Sequence, residues 1–127
     1  MPIVMPVSDE QQQGGSLHAA ISDAIVRITA EYTGRGPTRA RTTINGDWIF
    51  VTLSDILTRG ERKLAATGRS QFVRDTRKAF QDAMRDEFVS EIEALTGRSV
   101  IAFLSDNHID PDVAIECFQL AAPDGDA

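Results

Sequence analysis

The dipeptide Asn45-Gly46 lies between two runs of alternating side-chain character, Arg39 to Ile44 and Trp48 to Leu53, and it restricts the fold more than any other feature of the chain. Asn-Gly flanked by alternating apolar residues signals a β-hairpin closed by a two-residue type I′ turn. Such a turn pairs Ile44 with Asp47, Thr43 with Trp48, Arg41 with Phe50 and Arg39 with Thr52. Because side chains alternate across a strand, each face is then defined. One carries Ala40, Thr42, Ile44, Ile49, Val51 and Leu53, apolar enough to lie under helices. The other carries Arg39, Arg41, Thr43, Trp48, Phe50 and Thr52, a basic and aromatic mixture.

On either side of the hairpin the spacing turns helical. Ser16 is placed to cap a helix whose apolar stripe is Leu17, Ile21, Ala24, Ile25, Ile28 and Tyr32. Gly34 ends it and Pro37 blocks its resumption. Thr58-Arg59-Gly60-Glu61 fits a capping box and opens a short helix that runs to about Gly68. Ser70 can cap a longer one with core positions Val73, Phe80, Met84, Phe88, Ile92 and Leu95, closed by Gly97. Val100 to Ser105 and Val113 to Leu120 read as a second strand pair, joined by the polar loop 106–112. The order is α-β-β-α-α-β-β, an α+β domain with an antiparallel four-stranded sheet and helices on one face. The domain spans 16–121, between a disordered tail at 1–15 and a second tail at 122–127.

Two further patterns bear on assembly. Helix, Thr33-Gly34-Arg35 and hairpin are echoed by helix, Thr96-Gly97-Arg98 and hairpin, a weak internal repeat. The second hairpin is apolar on both faces, Val100, Ala102 and Leu104 opposing Ile101 and Phe103, where a half-exposed sheet would alternate. That half of the sheet is expected to be covered on both faces, with a second copy of the chain as the cover.

Composition sets the compartment and removes several chemistries. Cys117 is the single cysteine, so no internal disulfide framework exists and a reducing cytoplasm is the natural setting. The apolar N-terminal stretch is short, lacks a basic leading region and contains prolines, unlike a signal peptide, and no stretch approaches the roughly 20 apolar residues of a membrane span. The net charge of −6 is unevenly spread: residues 27–78 hold eleven bases against five acids, and residues 79–127 hold eleven acids against two bases. Such polarity favours self-association or a charged partner.

No catalytic constellation is apparent, and no cofactor or metal site is expected. Asp106, His108, Asp110 and Asp112 alternate like the start of a calcium loop, but Pro111 stands where the turn needs glycine and Cys117 where the bidentate glutamate belongs. Cys117 alternates with Val113 and Ile115 on a strand and reads as a small core residue, and His18 reads as a surface residue. Gly34-Arg35-Gly36-Pro37 follows a helix instead of opening one, so it is no phosphate cradle. The strongest binding candidate is the face with Arg39, Arg41, Trp48 and Phe50, extended by Arg35, Arg59, Arg62 and Lys63. Guanidinium groups beside aromatics can meet acidic partner groups or stack on bases. The acidity of the whole chain ranks nucleic acid below a homo-oligomeric or other protein partner.

From about Ser16 to Leu120 the sequence resembles the MpsC family, formerly a bacterial domain of unknown function. The resemblance is carried by Glu31-Tyr32-Thr33-Gly34-Arg35-Gly36-Pro37, by Leu53 to Leu64 with its Leu57-Thr58-x-x-Glu61 centre, and by Phe118-Gln119-Leu120. The family is named for a sodium-translocating system that generates membrane potential, in which a soluble protein accompanies membrane subunits. The resemblance therefore implies a non-enzymatic cytosolic accessory component, peripheral to the inner face of the membrane and not inserted in it, with membrane transport subunits as partners. Where the family has Leu-Thr-Pro-x-Glu, this chain has Arg59 and Gly60 after the threonine, which removes a favoured first-turn proline and leaves the capping box intact.

Overall fold

The computed structural model describes residues 15–123, so the expected tail residues 1–14 and 124–127 lie outside the described residues. Helix α1 spans Gly15–Thr33, so Gly15 and Ser16 are helical, and Ser16 is not the cap. Strands β1 (Arg39–Asn45) and β2 (Trp48–Ser54) follow, then α2 (Arg59–Leu64), α3 (Ser70–Thr96), β3 (Val100–His108) and β4 (Val113–Leu120). The strands form one antiparallel sheet in the order β1-β2-β4-β3, with α1 and α3 across one face. This is the α+β arrangement that the sequence pattern predicts.

The first hairpin is shifted from the predicted register. Asn45 pairs with Trp48, Thr43 with Phe50 and Arg41 with Thr52, so the turn residues are Gly46 and Asp47. A type I′ turn needs positive φ at both central residues, and here only Gly46 (φ +61°) has it, as a type II′ turn requires. Each partner moves by two positions, an even number, so the predicted division of the hairpin into two faces survives.

The helix-facing side of the sheet contributes Ile49, Val51, Leu53, Ala114, Phe118 and Leu120, against Ile21, Ile25 and Ile28 of α1 and Val73, Met84, Phe88 and Ile92 of α3. Full burial of such side chains contributes about 1.5–3 kcal/mol each, and this core anchors the domain. Phe80 and Leu95, two further predicted core positions, pack against it partly exposed. Thr42 is buried within the first hairpin, and its hydroxyl is satisfied by Ser22 of α1 at 2.7 Å.

The boundaries of the second helical region also differ from expectation. Ser70 is the first residue of α3 and makes no cap; Arg69 precedes the helix without a side-chain cap bond. Between α2 and α3, Thr67 and Gly68 leave helical dihedrals and turn the chain. Strand β3 runs on to His108, so Asp106, Asn107 and His108 belong to the sheet, and the connecting loop is 109–112.

Candidate functional site

Among the described residues nothing covers the sheet face opposite the helices. Its strand positions alternate with the buried ones, and the register arranges them in rows across the four strands. Arg39, Ser54, Val113 and His108 form the row farthest from the first turn; Arg41, Thr52, Ile115 and Asp106 form the next. Thr43, Phe50, Cys117 and Leu104 make a third, and Asn45, Trp48, Gln119 and Ala102 a fourth. Leu104 is 57% exposed and Ile115 36%, while Ile101, at the irregularity where β3 meets β4, is 62% exposed. An apolar band of Phe50, Cys117, Leu104 and Ile115 thus crosses a face that no other described residue covers. Towards the arginine end the face dips into a concavity of about 500 Å³, bordered by Thr52, Ser54, Asp106, His108, Val113 and Ile115.

The predicted binding residues separate into three groups. Arg39, Arg41, Trp48 and Phe50 share this face, but the observed register sets the arginines beside Ser54 and Thr52, away from the aromatic rings. Trp48 and Phe50 stack on each other instead, with centroids 6.1 Å apart and an interplanar angle of 10°. The cation–π contact among the described residues is elsewhere, Arg85 over Phe103. Arg39 and Arg41 are exposed and make no ion pair among the described residues.

Arg35 and Arg62 belong to an ion-pair cluster at the end of the sheet. Arg35 donates to the Asp55 carboxylate at 2.9 Å and to the carbonyls of Asp55 and Leu57. Arg62 pairs with Asp55 and, at 3.3 Å, with Asp112. Asp112 in turn accepts from the backbone N–H groups of Ile56 and Leu57, at 3.1 and 3.0 Å. The Arg35 hydrogen bond, followed by that of Thr38, holds the Asp55 carboxyl below the usual carboxylate range. Gly36 lets the chain reach this point along α1: a Cβ there would stand 3.3 Å from Val26 Cγ1. Both guanidinium groups are committed to protein acceptors. Arg59 and Lys63 make up the third group, on the exposed surface of α2 with no ion pair among the described residues.

Glu61 has two jobs. Its carboxylate accepts from the Thr58 N–H at 2.8 Å while Thr58 accepts from the Glu61 N–H at 3.1 Å, completing the expected capping box. The same oxygen receives the guanidinium of Arg77 at 2.6 Å. Arg77 is buried at 3% exposure and also donates to the Ile56 carbonyl, so α2, α3 and the β2–α2 connection meet at one charge.

The acidic residues of the β3–β4 region do not converge. Asp112 turns inward to the backbone, Asp106 accepts from Asn107 N–H at 2.8 Å and faces Arg74 at 3.4 Å, and His108 Nδ1 lies 3.0 Å from the Pro111 carbonyl. Cys117 is buried as expected, on the open-face side between Phe50 and Leu104, and burial pushes its thiol up.

A second polar group lies under the sheet. Glu116, 1% exposed, accepts from Gln81 Nε2 at 3.0 Å, and Gln81 also bonds the Asp106 carbonyl and Asn107. Lys78 donates to the Ser105 carbonyl at 2.7 Å. Burial pushes Glu116 up to about 7, against a smaller opposing pull from the Gln81 amide.

Arg35, Asp55 and Arg62 of the ion-pair cluster and Thr58 and Glu61 of the capping box lie in two of the three segments that carry the sequence resemblance. A family model described as "Na+-translocating membrane potential-generating system (MpsC)" matches residues 13–122. The chain belongs to the MpsC family. No curated protein and no solved structure matches it. In this MpsC-family chain two of these segments therefore hold the helices against the sheet end, while Arg39, Arg41, Trp48 and Phe50 of the open face lie outside them. Among the described residues no helix is long and apolar enough to cross a membrane.

Proposed function

We propose that this chain is a non-enzymatic accessory protein of a sodium-translocating, membrane-potential-generating system, working in the cytoplasm at the inner face of the membrane, and that its open sheet face is a protein contact surface. One observation carries the reading: the face exposes Leu104 and Ile115 in the rows that also hold Arg39 and Arg41 or adjoin them, and neither arginine has an ion-pair partner among the described residues. Apolar side chains grouped on an uncovered face mark an interaction surface. Its flanking arginines add orientation and speed of encounter. The family's printed description supplies the system, and the free cysteine suits a reducing compartment.

The dispersal of the basic residues weakens the rival reading of an anion or nucleic-acid module, because Arg35 and Arg62 are already neutralised by Asp55 and Asp112. The test is physiological. In cells lacking the chain, membrane potential read with a voltage-sensitive dye should fall; the wild-type chain should restore it, and the Arg39→Glu/Arg41→Glu variant should not. Unchanged potential on deletion would overturn the assignment to such a system.

A further inference from the structure

We propose that a second copy of this chain covers the open face, sheet against sheet, about a two-fold axis parallel to the strands. The proposal rests on reading that face as a protein contact surface, and it names the occupant and its orientation.

The charge layout selects both. The β1 edge of the face carries Arg39 and Arg41; the β3 edge carries Asp106 and His108 in the same two rows. A two-fold axis parallel to the strands, passing between β2 and β4, exchanges the edges and preserves the rows. It sets Arg41 of each protomer over Asp106 of the other, twice per dimer. A two-fold axis perpendicular to the strands through the centre of the face would lay β1 over β1 with the rows reversed, setting Arg41 over Thr43 and Asp106 over Leu104, which leaves the opposite charges unpaired and buries a carboxylate against the apolar band.

Both members of the pair have capacity for the contact. Arg41 has no ion pair among the described residues. Asp106 engages Arg74 and the Asn107 N–H through one oxygen, Oδ1, leaving Oδ2 for a second guanidinium. The concavity of about 500 Å³ is lined by Val113, Ile115, Asp106 and Arg74, so the aliphatic stem of a second arginine can lie along Val113 and Ile115 while its head reaches the Asp106 oxygen that Arg74 does not engage.

Size and packing agree. Strands of seven to nine residues, at about 3.3 Å per residue and about 4.8 Å apart, present a face of roughly 20 by 25 Å. Two such faces bury on the order of 1,000 Å², enough for a specific but modest interface. Leu104 is then covered by Thr43 of the other protomer and Cys117 by Phe50, closing the apolar band. The even apolar character of the second hairpin acquires its physical reason: one face is covered by α3, the other by the second copy.

The experiment uses the purified full chain. Sedimentation equilibrium at tens of micromolar should give twice 13.9 kDa. Arg41→Asp and Asp106→Arg should each weaken dimerisation about tenfold or more, and the double reversal should return it to within about threefold of wild type. Because Asp106→Arg also removes the contacts to Arg74 and Asn107, Leu104→Lys gives an independent reading: a folded monomer, with unchanged circular dichroism. A wild-type monomer at these concentrations overturns the proposal, as does a dimer indifferent to Leu104→Lys. Additive losses in the double reversal overturn the axis. Since these measurements need no membrane subunit, a monomer whose Arg39→Glu/Arg41→Glu variant still fails to restore membrane potential would sink the dimer and spare the proposed function.

Discussion

Arg35 and Arg98 occupy equivalent places in the two halves of the chain. Each follows a Thr-Gly pair that ends a long helix, and each guanidinium binds one aspartate and backbone carbonyl oxygen: Asp55 with Asp55 O and Leu57 O for Arg35, Asp47 with Ala121 O for Arg98. The threonines repeat as well. Thr33 Oγ1 donates to the Thr29 carbonyl at 2.9 Å and Thr96 Oγ1 to the Ile92 carbonyl at 2.7 Å. The strand order β1-β2-β4-β3 places the second strand of each hairpin at the centre, as a two-fold relation between halves demands. The three-residue repeat is thus one device used twice, tying the end of a helix to the sheet that follows it.

The Arg35 fork is a stability determinant. Arg35→Met should cost about 2 kcal/mol in urea unfolding, because it removes charge-assisted bonds to a carboxylate and two carbonyls. Arg35→Lys should recover less than half of that, since a point charge cannot reach all three acceptors. The depressed Asp55 carboxyl gives a second readout. A group whose folded pKa lies below its unfolded value stabilises above the unfolded pKa and loses that contribution as pH falls through the folded one. Wild type should therefore lose this contribution on acidification, and Arg35→Met should lose less, since only Thr38 and Arg62 still hold the carboxyl down. Equal acid sensitivity in the two proteins would contradict this account of the fork.

The two halves of the capping box should prove unequal. Thr58→Ala removes one cap bond, for about 1 kcal/mol. Glu61→Ala removes the reciprocal bond and also strands Arg77, a buried guanidinium, so about 3–5 kcal/mol is expected. Thermal or urea unfolding of both variants decides the matter. Similar losses would mean that Arg77 finds another acceptor.

The parts of the fold governed by strict period were legible from sequence. Alternation set the faces of the first hairpin even though the turn type was misread, because Asn45-Gly46 invites I′ while Gly46-Asp47 closes the chain as II′. The buried polar residues were missed, yet a signal was present. Val73, Arg77, Gln81, Met84, Phe88 and Ile92 form one stripe on α3, in which Arg77 and Gln81 fill the two gaps of the apolar pattern. Glu116 likewise holds a helix-facing position between Ala114 and Phe118. Polarity argued against burial there, and only the partners Glu61, Ile56, Asn107 and Gln81, distant in sequence, permit it. For the candidate site, residue type identified the arginines, but their commitment depends on Asp55 and Asp112, which the topology brings together.

The exposed arginines should be dispensable for folding. Arg39→Glu/Arg41→Glu should unfold within about 1 kcal/mol of wild type, since neither side chain has an ion-pair partner among the described residues and surface substitutions usually fall within about 0.5 kcal/mol each. A protein that unfolds on this change would place the arginines in structure and remove the proposed contact face.

Glu116 should make the fold weaken as pH rises towards neutrality. Its carboxyl is raised from an ordinary 4.5 to about 7 by burial, so between these values the folded chain keeps a proton that the unfolded chain has released. Stability then falls as pH climbs from about 4.5 to about 7 and levels off above, by up to about 3 kcal/mol if this group acts alone. Burial is the cause that raises the carboxyl, and it outweighs the Gln81 amide, the Ser105 hydroxyl opposite it in the register and the Lys78 ammonium, all of which favour the ionised form. Glu116→Gln should therefore flatten the decline, because the amide keeps an acceptor for Gln81 and carries its own donor without ever ionising, and the variant should exceed wild type in stability at about pH 8. Lys78→Met should move the decline to lower stability at neutral pH, since the Lys78 ammonium favours the ionised carboxylate. Urea denaturation across this pH range measures all three proteins. Parallel profiles for wild type and Glu116→Gln would show that Glu116 is ionised at mildly acidic pH in the folded chain, with the Ser105 hydroxyl and Gln81 amide outweighing its burial.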